Sequence, residues 1–542
     1  MKKYLNLWSI LTIATALLLT VPLWVLVSFV FEPTNETWAH LVDTLLPEYI
    51  FNSLWLMLGV SIGTLLLGIP SAWFISQYDF FGKKVLQWAL LLPLAMPAYI
   101  IAYTYTGLLE FEGPVQSFLR TLFETQTVNL WFPEVRSVGG AIIMFSLVLY
   151  PYVYLLARTA FSNQSHSVMH ASRTLGAGPY KTFFKVALPI ARPAIIAGLT
   201  LALMETLADF GTVQHFGIAT FTTGIYRTWT AFGDTTTTAQ LSVLLLVFVT
   251  ILMMVEFWSR RQAKYFTGSN QAAQAMPTKL SGIKSAMAFS ICLLPILFGF
   301  ILPSLQLLDW SINVAETNLN MEFLKLVWNS FSLAFITALV TVSIALMLSY
   351  AKRSQKNRTV DSAVRLSALG YAIPGTVIAV AVIIPFAWFD NTLDAWARET
   401  LNISTGLLLS GTLFALVFAY CFRFLSVALQ SLNSGFSQIK PSMDESAKTL
   451  GASNWTILRR IHTPLLKSSL LTAFILVFVE VLKELPTTLI LRPFNFNTLS
   501  VKAYEMAADE RLADAGLPAL LIVITGLIPV IILSKMIGNR NA

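Results

Sequence analysis

The sequence is poor in charged residues, in cysteine and in histidine. Only 12% of its 542 residues are Asp, Glu, Lys or Arg, about half the share that soluble domains carry. The two cysteines, Cys292 and Cys421, each lie inside an apolar run, and the five histidines are scattered. These shortages exclude an ordinary water-soluble fold, a disulfide framework and a cysteine-based metal site.

Two families of catalytic motif are also absent from the sequence. It contains neither a G-x-x-x-x-G-K-[ST] stretch, which would cradle a nucleotide phosphate, nor the H-E-x-x-H of zinc hydrolases. We therefore expect no catalytic residue and no bound cofactor in this chain. The net charge of +8 is divided among short segments between apolar runs, which indicates membrane topology and lipid contact, not nucleic-acid binding.

Long apolar runs dominate what remains. Hydrophobic residues make up 56% of the chain and its mean hydropathy is +0.68, and a bilayer core needs about 20 apolar residues of helix. The sequence predicts an all-α polytopic membrane protein of about twelve transmembrane helices. The predicted spans are 8–30, 50–75, 85–109, 138–161, 194–210, 241–258, 286–308, 327–350, 366–389, 407–424, 470–490 and 517–533.

The distribution of basic residues predicts the topology. If Lys2 and Lys3 are cytoplasmic, most of the 36 Lys and Arg residues fall in segments on the same side of the membrane, as the positive-inside rule requires. We expect a multi-pass protein with both termini in the cytoplasm. The run from Trp8 to Val30 exceeds a signal-peptide core, so it is expected to stay as the first helix.

The chain contains an internal repeat, which predicts two tandem six-helix units at 1–258 and 286–542, joined by a polar cytoplasmic linker at 259–285. Because six helices separate equivalent positions, the units should share one orientation about an axis along the membrane normal. The matches at an offset of 275 are Thr174–Ala177 with Thr449–Ala452, Pro189 with Pro464, Glu205 with Glu480, Phe221 with Phe496 and Thr223 with Thr498; those at 277 are Asn52-Ser53 with Asn329-Ser330 and Pro97 with Pro374.

Each unit has a cytoplasmic loop, at about 163–193 and 437–467, that reads as a short helix, a glycine turn and a second short helix. The loops resemble the EAA loop of ABC-importer permeases, which docks on ATPase subunits. The resemblance implies coupling roles for His170, Ala171 and Gly176 in the first loop and for Glu445, Ala447 and Gly451 in the second. The first loop has His170 where the family has Glu, and the second has Ser446 and Thr463 where the family has Ala and Leu, so the two ATPase contacts are expected to differ.

Four acidic residues fall in the fifth span of the two units. Glu205 and Glu480 are equivalent, and Asp209 and Glu484 follow four residues later, one helical turn along the same face. A charged residue in a span normally faces a cavity or a partner. The four carboxylates could form a pathway for a hard cation, or they could pair with Lys483, Arg227 or Arg492 to hold the bundle together.

Four longer stretches of sequence resemble one particular family of ABC-importer permeases. Those at 204–213, 220–229, 483–489 and 508–511 resemble the fused ferric-iron permeases of bacterial ABC importers, and the resemblance covers essentially the whole chain. It implies two MetI-like permease units in the bacterial inner membrane. It also implies a periplasmic binding protein that delivers ferric iron and two copies of a cytoplasmic subunit that uses ATP. The four carboxylates are then candidates for the metal pathway.

Other functions stay open on the sequence alone. The same architecture could import thiamine, a polyamine or a phosphonate. A secondary transporter can also have twelve helices and a repeat, but it would need no ATPase and no coupling loops. A membrane-embedded structural or signalling protein would leave the duplicated loops and the buried acids without a role.

Overall fold

The computed structural model describes residues 6–124, 132–162, 178–261, 278–355 and 357–538, with the single positions 164, 172, 174 and 176. The α-helices of the first half are α1 Leu7–Ser28, α2 Glu36–Thr44, α3 Leu46–Gln77, α4 Lys83–Ala89, α5 Ala98–Leu109, α6 Pro114–Phe123, α7 Val138–Ser162, α8 Pro179–Thr182, α9 Leu188–Ala208, α10 Gly211–His215, α11 Phe221–Arg227 and α12 Thr235–Arg261. Those of the second half are α13 Gly282–Ile296, α14 Leu302–Asn318, α15 Met321–Ser354, α16 Arg358–Ser367, α17 Gly375–Leu401, α18 Leu413–Ser437, α19 Pro441–Thr449, α20 Asn454–Ile457, α21 Thr463–Leu465, α22 Lys467–Lys483, α23 Pro486–Leu491, α24 Leu499–Ala508 and α25 Gly516–Gly538.

Shorter elements connect these helices. The 3₁₀ turns are Phe29–Phe31, Leu92–Ala95 and Leu369–Ala372, and the π turns are Phe183–Ala187, Thr228–Phe232, Leu297–Ile301 and Leu458–His462. Two strands of two residues, β1 Tyr78–Asp79 and β2 Thr278–Lys279, pair in parallel. Part of the predicted linker, 262–277, lies outside the described residues.

The described helices confirm the all-helical membrane fold. Nine of them are long and apolar enough to span a bilayer, and two bent pairs, Lys83–Ala95 with Ala98–Phe123 and Asn454–Leu465 with Lys467–Lys483, raise the number to eleven. The pairs are bent by 92° and 77°. A shorter apolar helix, Gly516–Ile532, coincides with the last predicted span.

The predicted spans at 85–109 and 366–389 have wrong boundaries because each crosses a proline. The residue before proline is driven out of the α-helical region, and Met96 and Ile373 accordingly have extended backbones with ψ of 110° and 126°. A 3₁₀ turn precedes each of these residues, and a new helix begins at Ala98 in the first half and at Gly375 in the second.

Each half is built around the same three packed helices: α3, α7 and α9 in the first, and α15, α18 and α22 in the second. In the first half, Gly59 and Gly63 of α3 lie where a Cβ would overlap the side chains of Ile142 and Ser146 on α7. Small residues at this spacing allow membrane helices to approach closely. The π turns before α9 and α22 also recur at an offset of 275, so the repeat extends to backbone detail.

The first helix of each half packs against the other half. Helix α1 lies against α15, α16 and α17, where Leu19 and Leu26 join a core cluster with Val360 and Val364. In return, α13 packs against α3 and α4, and α14 packs against α5. The two halves are therefore interlocked.

The structural register differs from the sequence match at Thr223 and Thr498. Thr220 is the N-terminal cap of α11 and Thr498 is that of α24, which gives an offset of 278. Equivalent amides confirm this register, because Asn52 donates to the carbonyl of Ala219 (2.9 Å) and Asn329 donates to that of Asn497 (3.5 Å). The connection before α24 is therefore longer by three residues.

Substitution of Gly370 by alanine should destabilise the protein. The added Cβ would overlap the carbonyl oxygen of Phe422, a backbone atom of α18, and overpacking of this kind costs about 1–3 kcal/mol. We expect a lower midpoint of thermal unfolding for the detergent-solubilised protein. Gly178→Ala is the control, because its Cβ would meet nothing within 4 Å and its φ is −66°; equal midpoints for both variants would contradict the packing described here.

Candidate functional site

Both halves interrupt a membrane helix at an acidic residue. Helix α9 ends at Ala208 and α22 ends at Lys483, and the next residues, Asp209 and Glu484, have extended backbones with ψ of 138° and 123°. A helix break inside a membrane leaves backbone N–H groups that need acceptors. The two carboxylates supply them for the short helices α10 and α23.

The acceptor geometry is similar in the two halves. The Asp209 carboxylate accepts from the backbone N–H of Thr212 (2.9 Å) and of Val213 (3.3 Å). The Glu484 carboxylate accepts from the N–H of Thr487 (3.0 Å) and from its hydroxyl (2.5 Å). Hydroxyl groups of the following helices also donate to the carbonyls of the two acidic residues, Thr222 to Asp209 (2.7 Å) and Ser500 to Glu484 (2.8 Å).

All four acidic residues line one cavity of about 130 Å³ between the halves. The prediction that Asp209 and Glu484 continue the helical face of Glu205 and Glu480 is wrong, because both helices end one residue earlier. The structure nevertheless brings the four together, since each extended residue turns its carboxylate back to cap the next helix. Their role in a metal pathway stays a prediction.

Two cations share the cavity with the acids. The Nζ of Lys483 lies 2.9 Å from Oε1 of Glu480, and the Nε of Arg423 lies 3.5 Å from Oε2 of Glu484. The hydroxyl of Tyr371 donates to Oε1 of Glu205 at 3.1 Å. The predicted structural pairing therefore holds for Lys483. Arg492 pairs instead with Glu505 (3.0 Å), and Arg227 forms no ion pair with the four acids among the described residues.

Sequence reasoning missed Arg423 as a cavity residue. The predicted span 407–424 placed it at a helix end, whereas α18 runs from Leu413 to Ser437 and holds it in the interior of the helix. Gly375 provides the space, since a Cβ there would lie 2.6 Å from Oε1 of Glu484. An arginine inside an apolar run was the signal that could have identified it.

The cavity is asymmetric. At an offset of 275, Arg423 corresponds to Val148 and Lys483 to Ala208, so both cations come from the second half. Within the described ranges, no group of three or more His, Cys, Asp or Glu side chains is arranged to hold a metal ion. The acids thus line the cavity in pairs with basic or hydroxyl partners and do not form a ready ligand set.

The two loops predicted to couple to an ATPase share a glycine turn. Gly176 and Gly451 have φ of +80° and +79°, and nothing lies within 4 Å of a Cβ at either. In the second loop, the N–H of Gly451 donates to Lys448 (3.0 Å) and that of Ala452 donates to Ala447 (3.0 Å), the pattern that ends a helix with a left-handed glycine. His170 and Ala171 lie outside the described residues.

The part of the second loop that is predicted to couple to an ATPase is exposed around this turn. Glu445 is exposed and Ala447 is buried against the rest of the loop. Aromatic residues at an offset of 275, Tyr180 and Trp455, are 83% and 62% exposed. Large exposed aromatic side chains therefore lie at the same place in both halves, and exposed apolar surface of this kind is typical of sites that contact another protein.

A polar cluster fixes the second loop to α15. Asp444 of α19 accepts from Nε of Arg353 (2.7 Å) and contacts Nε2 of His462 (2.6 Å), and His462 is fully buried. Arg353 also donates to the carbonyls of Phe436 and Ile439. In the first half, Ser76 and Ala187 occupy the positions of Arg353 and His462, so this cluster has no equivalent there.

Both halves of the chain resemble known transport proteins. The profile of the family described as "Binding-protein-dependent transport system inner membrane component" matches residues 64–264 and 342–541. The chain is 27% identical to the Fe(3+)-transport system permease protein FbpB 2 of Haemophilus influenzae, over 90% of each chain. It is 25% identical to the ferric transport system permease protein FbpB of Actinobacillus pleuropneumoniae, over 86% of this chain and 66% of the relative. It also matches the molybdenum transport system permease protein ModB of H. influenzae, with 27% identity over 40% of this chain and 96% of the relative.

Removing the Asp444 side chain should loosen the second loop. Asp444→Ala leaves Arg353 and His462 without their shared acceptor, at a cost of about 1–3 kcal/mol. We expect trypsin to cleave within 437–467 several-fold faster than in the native protein. Glu445→Ala is the matched control, because Glu445 is the exposed neighbour; equal cleavage rates in the two variants would contradict the cluster's role.

The same contact carries a pH dependence. Burial alone would raise the pKa of the Asp444 carboxyl, but hydrogen bonds from Arg353 and His462 outweigh it and hold that pKa below its ordinary value. A lowered pKa means that the stabilisation is complete above the ordinary range of Asp and is lost as the pH falls through the lowered value. Protection of the loop from trypsin should therefore persist at neutral pH.

Proposed function

The chain belongs to the family of binding-protein-dependent transport system inner membrane components, and on this basis we propose that it is the permease through which ferric iron enters the cell. It is a multi-pass inner-membrane protein and a translocation subunit without catalytic activity of its own. As a permease of this class, it works with an ATPase and a periplasmic binding protein. The FbpB relatives, whose names give ferric iron as their cargo, support the proposed substrate.

The convergence of four carboxylates in one cavity carries the proposal. Glu205 and Asp209 come from the first unit, and Glu480 and Glu484 come from the second. Two cations, Arg423 and Lys483, offset only part of this charge, so a fully ionised cavity has a formal charge of −2. A negative cavity favours entry of a cation, and carboxylate oxygens suit a hard one.

The carboxylates are best described as a pathway, not as a storage site. A transport site must release its cargo, so a complete set of ligands would hold a trivalent ion too tightly. Lys483 and the Tyr371 hydroxyl neutralise or solvate Glu480 and Glu205 when no cargo is present. A passing cation would displace these partners for a short time. The same acids could attract a polyamine or thiamine, and these cations are therefore competitors in the assay.

The coupling loops provide the route from ATP to the cavity. Helix α19 and the turn at Gly451 precede α20, the π turn and α22, and α22 carries Glu480. A force on the loop would therefore reach a cavity acid through about four helical turns of α22. We place both loops and both termini on the cytoplasmic side, with unit boundaries at 1–258, 259–285 and 286–542.

The double substitution Glu205→Gln and Glu480→Gln should abolish most iron uptake. These two acids do not cap helices, so their removal changes the charge of the cavity with little effect on the fold. We expect ATP-dependent uptake of radiolabelled ferric iron to fall at least tenfold in proteoliposomes that contain the ATPase and the binding protein. The tenfold loss equals about 1.4 kcal/mol of cation stabilisation.

Two further measurements make this test decisive. Glu48→Gln with Glu322→Gln removes two acids from the first turns of α3 and α15 and should leave uptake unchanged. Excess thiamine or polyamine should not compete with iron. Normal uptake by the cavity variant would refute the carboxylate pathway, and uptake of a competitor in place of iron would refute the substrate.

Gly451→Leu should separate ATP hydrolysis from transport. Its φ of +79° strains leucine and most other residues that have a Cβ, and the leucine side chain would project into the open space at the coupling surface. We expect ATPase activity in the assembled complex to persist while iron uptake falls several-fold. Gly451→Asn is the control, since asparagine tolerates this conformation. Loss of the protein from the membrane in both variants would indicate a role in folding.

A further inference from the structure

An ion cluster joins the two units at the end of the molecule opposite to the coupling loops. The guanidinium of Arg136 donates from Nη1 and Nη2 to the two carboxylate oxygens of Glu510 (2.7 and 2.6 Å) and from Nε to Glu110 (2.5 Å). Arg136 and Glu110 belong to the first unit and Glu510 to the second. Of the ion pairs whose partners both lie in the described part of the chain, Arg136–Glu510 is the one that connects the units.

The position of Arg136 next to α7 shows where this cluster lies relative to the coupling loops. Arg136 lies two residues before α7, and α7 ends at Ser162, beside the first coupling loop. The 25 residues of α7 span about 37 Å, so the cluster and the coupling surface lie at opposite ends of the bundle. On the topology proposed above, the cluster faces the periplasm.

Aromatic contacts lie along the boundary between the units, near the cavity and this cluster. Along α5, Tyr99 lines the cavity and Glu110 binds Arg136, a separation of about 16 Å. Between them, the ring of Tyr103 packs against His215 of α10 (4.6 Å between centroids). Across the boundary between the units, the ring of Tyr504 of α24 packs against Phe210 of the first unit (5.8 Å between centroids), which lines the cavity. Opening this end requires α5 and α10 to move away from α24.

The backbone at Glu510 indicates that its side chain is needed. Glu510 has a φ of +60° and ends α24 in a left-handed turn of the same kind as the turn at Gly451. The N–H of Glu510 donates to the carbonyl of Ala507, and the N–H of Arg511 donates to the carbonyl of Met506. Glycine is the usual residue in this turn, and another residue costs about 1–2 kcal/mol. In the first unit the corresponding turn, after α11 and its π turn, has Gly233 at φ +62°.

The cluster occurs once, although the fold is repeated. Ala387 and Gly411 occupy the positions of Glu110 (offset 277) and Arg136 (offset 275) in the second unit. Gly233 forms the turn that Glu510 forms, one residue out of the 278 register because the π turn Thr228–Phe232 precedes it. Helix termination alone does not explain why the second unit has a strained glutamate where the first unit has glycine. The carboxylate of this glutamate accepts from both terminal nitrogens of Arg136. The Arg136 guanidinium also holds the pKa of the Glu510 carboxyl below its usual value, so both groups are charged at neutral pH.

We infer that Glu110, Arg136 and Glu510 form a clasp that holds the outer end of the pathway closed, and that the loaded binding protein must open it before cargo can enter. The inference rests on the proposed function for its partners. Breaking the clasp shifts the population of conformations towards the outward-open state without any ligand. The ATPase senses this shift through the coupling loops.

Glu510→Gly is the sharpest test, because it removes the clasp and relieves the backbone at the same time. In the permease–ATPase complex in lipid nanodiscs, we expect ATPase activity without binding protein to rise about two- to fivefold, the shift produced by losing a partly exposed ion pair. The midpoint of thermal unfolding should stay equal or rise. Arg136→Gln should raise the same activity. Arg398→Gln is the control, because its 2.5 Å ion pair with Asp394 lies within the second unit.

A distance measurement tests the clasp without the ATPase. Spin labels at the exposed residues Glu112 and Asp509, in a protein whose buried Cys292 and Cys421 are replaced by alanine, report the separation of the units at this end. Glu510→Gly should lengthen or broaden the distance distribution. An unchanged distribution, or an ATPase that still depends fully on the binding protein, would overturn the clasp. A third outcome separates the two proposals. If no binding protein stimulates the ATPase activity of the native complex, but Glu510→Gly still changes the spin-label distances, the clasp stands and the proposed function fails.

Discussion

The need to satisfy backbone polar groups where a membrane helix is interrupted determines the centre of this molecule. Helices α9 and α22 stop at Ala208 and Lys483, and each break would leave several N–H groups without acceptors. Asp209 and Glu484 meet this need, and both are thereby held at the wall of the cavity. One pair of side chains therefore caps two helices and also supplies half of the acidic groups in the central cavity. Asp209 and Glu484 are therefore candidates for both a structural and a functional role, because the helix break that needs their carboxylates also places them at the cavity.

The sequence predicted the elements that depend on composition and repetition. Long apolar runs identified the helices, and the repeat at offsets of 275 and 277 identified two units of one fold. The acids in the fifth spans stood out because charge is rare in apolar runs, and the four were expected to converge. The loops around Gly176 and Gly451 stood out because the same turn occurs twice.

The remaining features depend on where the chain changes direction. Hydropathy does not report that Pro97 and Pro374 separate a 3₁₀ turn from a new helix, so those spans were displaced. It placed Arg423 at a helix end because the apolar run stops at residue 424, whereas α18 continues to Ser437. Residue identity also misaligned the caps, since Thr498 matches Thr223 by letter but Thr220 by position. The Arg136–Glu510 contact joins residues 374 apart in the chain, which no local pattern encodes.

The packing of α1 has a consequence for synthesis. Leu19 and Leu26 belong to the same core cluster as Val360 and Val364 of α16, the helix that α1 packs against, and these two valines are added only after more than 300 further residues have been made. At about 5–20 residues per second, translation of that length takes roughly 15 to 70 seconds. During this interval the first helix can pack against α12 of its own unit, but its neighbours in the second unit do not yet exist. Assembly of the first unit is therefore completed by the arrival of the second, and a ribosome that stops near the linker leaves α1 without the neighbours that α15, α16 and α17 supply.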